Sequence, residues 1–270
     1  MRWEVVEDAA ALSNRAAHLL LDTVEQSPRT VLGLPTGRTP EGMYREVARN
    51  CRDPRCFGSV ETFNLDEYVG IPLDHPGSYS SYMWTHLFSH VEVDRERIHI
   101  PLGDPERLSE RFPGLSFEEA LERECRDYEE EIRAAGGLDL TFLGLGRNGH
   151  IAFNEPGTPF VSRTHVIELT ESTRRANAGC FPDREVPRRA MTMGIATIVD
   201  SKRIVLLATG GSKAEAVRRL ASGEIGEDFP ASALHRHPDV LVLTDREAAG
   251  GVEMHSASML RPEGATPHPR

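Results

Sequence analysis

Thr30-Val31-Leu32-Gly33-Leu34-Pro35-Thr36-Gly37-Arg38-Thr39-Pro40 is an apolar, β-branched run stopped by proline and glycine, and it leads into a segment with helical spacing over 40–48. A short apolar run without polar alternation is the pattern of a strand buried on both faces, as parallel sheets require. The same grammar returns along the chain. Residues 60–65, 138–145 (entered by the Gly136-Gly137 turn), 203–208 and 239–243 read as further strands, while 164–169 and 190–199 are ambiguous. Amphipathic helices are expected over 9–25, 117–135 and 213–220. In the second of these, Leu121, Cys125, Tyr128 and Ile132 fall on one stripe. Alternation of buried strands with helices predicts an α/β fold: a doubly wound, mainly parallel open sheet with helices on both faces, Rossmann-like.

No repeat or linker divides the chain, so residues 1–252 are expected to form one domain, and the Pro-, Gly-, Ser- and His-rich residues 253–270 a flexible tail. The 270 residues carry a formal net charge of −11, which disfavours nucleic-acid binding because phosphate contacts need clustered Lys and Arg. A phosphorylated small molecule is still compatible, since a few local N–H groups and cations suffice. The charged opening residues Glu4, Glu7 and Asp8 do not suit a signal peptide, and no apolar run is long enough to span a bilayer. A cytoplasmic protein is expected. Cys51, Cys56, Cys125 and Cys180 form no CxxC pair and are read as reduced thiols, with no metal site.

Four motifs fall just after expected strands, where open parallel sheets bind ligands. The first is Pro35-Thr36-Gly37-Arg38-Thr39, a small-residue turn at a helix start that suits a phosphate; Thr39 is the expected N-cap and Pro40 the first helical residue. The second is Asn64-Leu65-Asp66-Glu67-Tyr68. Two adjacent carboxylates at a strand end cannot both enter an apolar core, and one that faces a cleft can have its pKa raised towards that of a working base. A helix cap or an ion pair is the competing reading. The third is Gly144-Leu145-Gly146-Arg147-Asn148-Gly149-His150 with Asn154-Glu155-Pro156, a glycine-rich loop that carries a titratable His/Glu pair. Its GxGxxG spelling is not a dinucleotide fingerprint, because no helix follows. The fourth is Thr209-Gly210-Gly211-Ser212-Lys213. A Lys there opposes the helix dipole, and a bound anion would relieve that conflict.

In this order and spacing the motifs resemble the glucosamine-6-phosphate deaminase/isomerase family over residues 25–245. Asp74-His75-Pro76-Gly77-Ser78-Tyr79, Ser172-Thr173-Arg174-Arg175-Ala176-Asn177 and Leu234-His235-Arg236-His237-Pro238 add to the match. The resemblance implies ring opening of an aldose 2-amino-6-phosphate, proton transfer between C2 and C1, and loss of ammonia, with no metal or organic cofactor. It implies glucosamine 6-phosphate as substrate, Asp66 as the C2 base, and His150 as the ring-opening acid–base oriented by Glu155. Pro35, Thr36, Gly37, Arg38, Thr39 and Lys213 would hold the phosphate.

Three departures from the family pattern carry expectations. Asn148 stands where some members have Asp, so carboxylate help to His150 falls to Glu155. Gly179 stands where many carry a phosphate-contacting Arg, and Arg38 where Gly or Ser is usual. Arg38 is therefore expected to replace the missing cation, unless the substrate carries its anionic group differently. An Arg38→Ser variant with an unchanged KM would contradict the replacement. His165 and Ile167 occupy places where members activated by N-acetylglucosamine 6-phosphate carry cations. No such activation is expected, the rate curve should stay hyperbolic, and the chain should be a monomer or small homo-oligomer. A related enzyme for another amino-sugar phosphate is the alternative. A lactonase is disfavoured by the Asn-Leu-Asp-Glu-Tyr and Asn-Glu-Pro motifs, and a transcriptional sugar-phosphate sensor by the lack of room for a helix-turn-helix before residue 30.

Overall fold

The apolar runs become the interior strands of a seven-stranded parallel sheet. The structure, a computed structural model, describes residues 1–182 and 185–250, with the side chains of Ser172 and Ala176 excepted. The expected tail, 253–270, lies outside the described residues. Ten strands are present among the described residues: β1 (Arg2–Val6), β2 (Val31–Leu34), β3 (Glu61–Asn64), β4 (Asp66–Tyr68), β5 (Ile98–His99), β6 (Leu140–Gly144), β7 (His165–Glu168), β8 (Arg189–Thr192), β9 (Arg203–Ala208) and β10 (Val240–Asp245). The large sheet runs β1-β10-β9-β6-β2-β3-β5, with every pair parallel. A second, antiparallel sheet has the order β4-β8-β7.

Period-two alternation divides the strand residues between two cores. Leu32, Leu34, Leu140, Phe142, Val205, Leu207, Leu241 and Leu243 face one layer, with helices Ala9–Gln26 and Arg38–Asn50. Val31, Phe63, Leu143, Ile204, Leu206, Val240 and Val242 face the other, with helices Phe117–Ala134 and Ala214–Ala221. Helices on both faces make the fold doubly wound. Each fully buried Leu, Val or Phe contributes about 1.5–3 kcal/mol, so the cost of burying the sheet's backbone is met on both sides. Local signals agree with this packing. The Asp8 carboxylate accepts from Ala11 N at 2.8 Å to start the first helix, and Ser116 with Glu119 closes a capping box on the helix Phe117–Ala134.

A charged brace joins β3 and β5 to that helix. The His99 imidazole lies 3.0 Å from Glu61 and 3.2 Å from Glu131, and stacks on Phe63. Burial alone would lower the His99 pKa, but the hydrogen bonds and charges of Glu131 and Glu61 outweigh it and raise it. The bonus is full below the unfolded histidine pKa and is lost as pH rises through the higher folded value. His99→Gln is expected to cost about 1 kcal/mol at pH 6 and less at pH 9, as read by chemical denaturation at the two pH values.

The chain winds from β2 out to β3 and β5, then returns across β2 to β6, β9 and β10. The topological switch point therefore lies between β2 and β6. All four motifs leave the carboxyl ends of the adjacent strands β9, β6, β2 and β3.

Candidate active site

The turn after β2 is held from behind. Tyr44 Oη donates to the Pro35 carbonyl and Tyr82 Oη to that of Gly37, both at 2.7 Å. The helix begins at Arg38, with Gly37 as its N-cap at φ 107°. The expected Thr39 cap is thus corrected: positive φ at Gly37, which suits glycine, starts the helix one residue before Thr39, and no side chain caps it. Among the described residues nothing accepts from the N–H groups of Gly37, Arg38 or Thr39. They remain available to an anion at the positive end of a 13-residue helix. Thr39 Oγ1 lies 3.5 Å from Thr209 Oγ1, which joins this turn to the one after β9.

Asp66 and Glu67 stand in β4, on opposite sides of the strand. Glu67 is the tied one. Its carboxylate accepts from the backbone N–H groups of Tyr68, Tyr79 and Ser80 at 2.8–2.9 Å, and so fixes the start of the helix Tyr79–Met83. Burial raises the Glu67 pKa to about 7 even against those three donors. Asp66 is 6% exposed, and no described residue donates a hydrogen bond to its carboxyl. Burial, then the charge of Glu67, push its pKa up to about 8. Of the two carboxylates at this strand end, Asp66 is the one free to exchange a proton.

The third motif folds into a tight turn without a helix. Gly146 N donates to the His150 carbonyl and Gly149 N to that of Gly146. The His150 ring lies so close over Gly146 that a Cβ there would come within 2.4 Å of it, so only glycine fits. Glu155 is 7% exposed and is held from several sides. Asn148 Nδ2 donates to it at 2.6 Å and Thr173 Oγ1 at 2.7 Å, with His150 Nδ1 at 3.8 Å. Burial would raise the Glu155 pKa, but the His150 imidazole, the Thr173 hydroxyl and the Asn148 amide outweigh it and lower it to about 2. The expected His150–Glu155 pairing is therefore present as a close charge contact, longer than a hydrogen bond, and Asn148 and Thr173 are the groups that hold the carboxylate. Thr173 lies in a stretch quoted for its resemblance alone; nothing in the spelling signals a contact with a residue 18 positions earlier. Ala152 (φ 49°) adds a strained, non-glycine position next to the pair.

After β9 the backbone N–H groups of the turn are engaged. Gly210 N donates to Asp245, and Gly211 N to Glu247 at 3.3 Å. Lys213 is half-buried at the N-cap of helix Ala214–Ala221, its pKa lowered by burial and by the charge of Arg147. Arg38 is exposed, and a Cβ on Gly179 would meet nothing within 4 Å. Among the described residues no three His, Cys, Asp or Glu side chains gather to hold a metal ion, and no helix is long and apolar enough to cross a membrane. Two recesses of about 550 and 690 Å³ flank the helix Phe117–Ala134, and neither contains a candidate residue.

The model of the family described as glucosamine-6-phosphate isomerases/6-phosphogluconolactonase matches residues 5–242. The chain belongs to this family. Among members of the glucosamine-6-phosphate isomerase/6-phosphogluconolactonase family, it is 48% identical to the glucosamine-6-phosphate deaminase of Shouchella clausii, over 90% of this chain and 94% of that one. It is 51% identical to glucosamine-6-phosphate deaminase 1 of Bacillus subtilis, over 88% and 94%. A solved monomeric glucosamine-6-phosphate deaminase superposes with a TM-score of 0.84 at 49% identity, covering 93% of this chain and 99% of that one. A 6-phosphogluconolactonase from Trypanosoma cruzi, with a TM-score of 0.71 at 18% identity, shares the fold.

Proposed function

We infer that the chain converts glucosamine 6-phosphate and water into fructose 6-phosphate and ammonia. The observation that carries this reading is the 48–51% identity to glucosamine-6-phosphate deaminases over about nine-tenths of the chain. In the proposed course, His150 moves the proton that opens the hemiacetal, since an imidazole exchanges protons near neutral pH. Asp66 removes the C2 proton, a C1–C2 double bond forms, and the electron pair of the former carbonyl takes up a proton. Asp66 then returns the proton to C1, leaving an iminium at C2; water adds there and ammonia departs. A carboxyl that titrates near 8 suits both halves of this transfer, basic enough to take the proton and acidic enough to return it.

Asn148 and Thr173 keep Glu155 ionised beside His150, which supports a positioning role for both. The turn Pro35–Thr39 and Lys213 hold the 6-phosphate, Arg38 contributing its N–H and its charge. The reaction needs no organic cofactor or metal in this scheme. Residues 1–252 act as one domain, as a monomer or small homo-oligomer, and the four free thiols suit the cytoplasm. The discriminating test pairs the two activities named for the family. Turnover of glucosamine 6-phosphate should far exceed hydrolysis of 6-phosphogluconolactone, and the reverse ranking would overturn the reading.

Asn148→Asp checks the Glu155 arrangement. A carboxylate placed 2.6 Å from Glu155 would share a proton with it, raising a pKa that now lies near 2. If the shared proton carries that titration above neutrality, to about 7.5–8, the ionised fraction at pH 7 falls to about a third to a tenth, and kcat is expected to drop about three- to tenfold. The loss should shrink as pH rises past the new titration and the shared proton is given up. A pH series of kcat for the variant reads this directly.

A further inference from the structure

Lys213 alone is a weak answer to a dianionic phosphate, and the backbone around it is engaged by acidic side chains. A phosphate bears nearly two charges at neutral pH. The adjoining N–H groups of Gly210 and Gly211 already donate to Asp245 and Glu247. Arg38 adds a charge from the turn after β2, but it is exposed, and a further positive group beside Lys213 would complete the grip.

The parallel register of β6 and β9 supplies one. Gly144 pairs with Leu207, and Leu145 N donates to the Leu207 carbonyl, so residues 145–149 and 209–213 leave the sheet side by side. The tight turn that closes Gly146 onto His150 puts Arg147 at its tip. Arg147 is exposed, and among the described residues it makes no ion pair or hydrogen bond. Lys213 likewise has no carboxylate partner among the described residues. Two unpaired cations beside each other repel unless an anion lies between them.

We propose that Arg147 is a further phosphate-binding cation of this enzyme, beside Arg38 and paired with Lys213 across the β6 and β9 turns, that holds the 6-phosphate and discriminates phosphorylated from unphosphorylated sugar. The assignment rests on the deaminase reading of the site. The fork of a guanidinium suits two phosphate oxygens at once, which a lysine does not match. The neighbouring Asn148 holds Glu155, so a phosphate gripped by Arg147 also steadies the turn that carries His150. In keeping with that register, burial and then the Arg147 charge lower the pKa of the Lys213 ammonium.

The test is Arg147→Gln with Arg147→Lys beside it, and Arg49→Gln as a remote surface control. Loss of one charge-assisted contact corresponds to about a ten- to hundredfold loss of affinity. KM for glucosamine 6-phosphate should rise by that factor in Arg147→Gln, and the inhibition constant of inorganic phosphate should rise in parallel. The Lys variant should recover part of both, and the thermal midpoint should stay at the wild-type value because the side chain makes no structural contact. A KM and a phosphate inhibition constant within about twofold of wild type would overturn the proposal, as would a raised KM with unchanged phosphate inhibition. Calorimetric titration of inorganic phosphate into wild type and Arg147→Gln reads the pocket independently of turnover. If the wild type failed to deaminate, weaker phosphate binding in the variant would still support the cation pair, and equal binding would remove it.

Discussion

Replacing Asp66 by Asn is expected to reduce kcat about 1000-fold while the protein stays folded, because the amide keeps the shape of the side chain but cannot take up the C2 proton. KM should change little, since the phosphate turns are untouched. The same substitution is expected to stabilise the enzyme at alkaline pH. Burial and the Glu67 charge raise the Asp66 pKa to about 8, far above its unfolded value. The native state therefore binds more protons than the unfolded one, and stability contributed by this group falls as pH rises from about 4 to 8. Removing the ionisable group abolishes that loss, and a gain of about 2 kcal/mol at pH 8 is expected by denaturant unfolding. A variant both less active and more stable is the mark of a carboxylate kept for chemistry.

The second large effect concerns Glu67. Glu67→Ala removes the acceptor of three backbone N–H groups around the helix Tyr79–Met83, all of them buried or half-buried. Orphaned donors cost about 1–3 kcal/mol each, so a loss of about 3 kcal/mol or more is expected, or about 6–12 °C in Tm for a chain of this size. Glu67→Gln separates structure from charge. Its amide oxygen can still accept, but the negative charge that helps raise the Asp66 pKa is gone. The acid limb of kcat/KM, expected towards pH 8 in the wild type, should move to lower pH in the Gln variant. An unmoved limb would mean that Glu67 has no electrostatic hold on the base.

These two neighbours show how far spelling alone reaches. The adjacent carboxylates announce a site, because charged groups at the end of a buried strand need a reason. Which of them works and which holds the backbone depends on Tyr79 and Ser80, 12 and 13 residues further on, whose N–H groups are delivered to Glu67 by folding. The interior strands β2, β3, β6, β9 and β10 are legible because burial on both faces demands an unbroken apolar run. Edge positions lack that signature. β1 pairs on one side only and is partly exposed, β5 has two residues, and β4 is built from Asp66, Glu67 and Tyr68, which read as a polar loop. The start of the helix at Arg38 is masked by Thr39-Pro40, a sound capping pair that the positive φ of Gly37 overrides. Thr173 and Arg147 become visible only when the helix Glu171–Asn177 and the turn after β6 are brought to Glu155 and Lys213.

Product analysis with glucosamine 6-phosphate as the only substrate, following ammonia and fructose 6-phosphate in wild type and Asp66→Asn, tests both the reaction and its base. Equal amounts of the two products are expected from the wild type and almost none from the folded variant. Fructose 6-phosphate without equimolar ammonia, or full activity in Asp66→Asn, would contradict the deaminase reading.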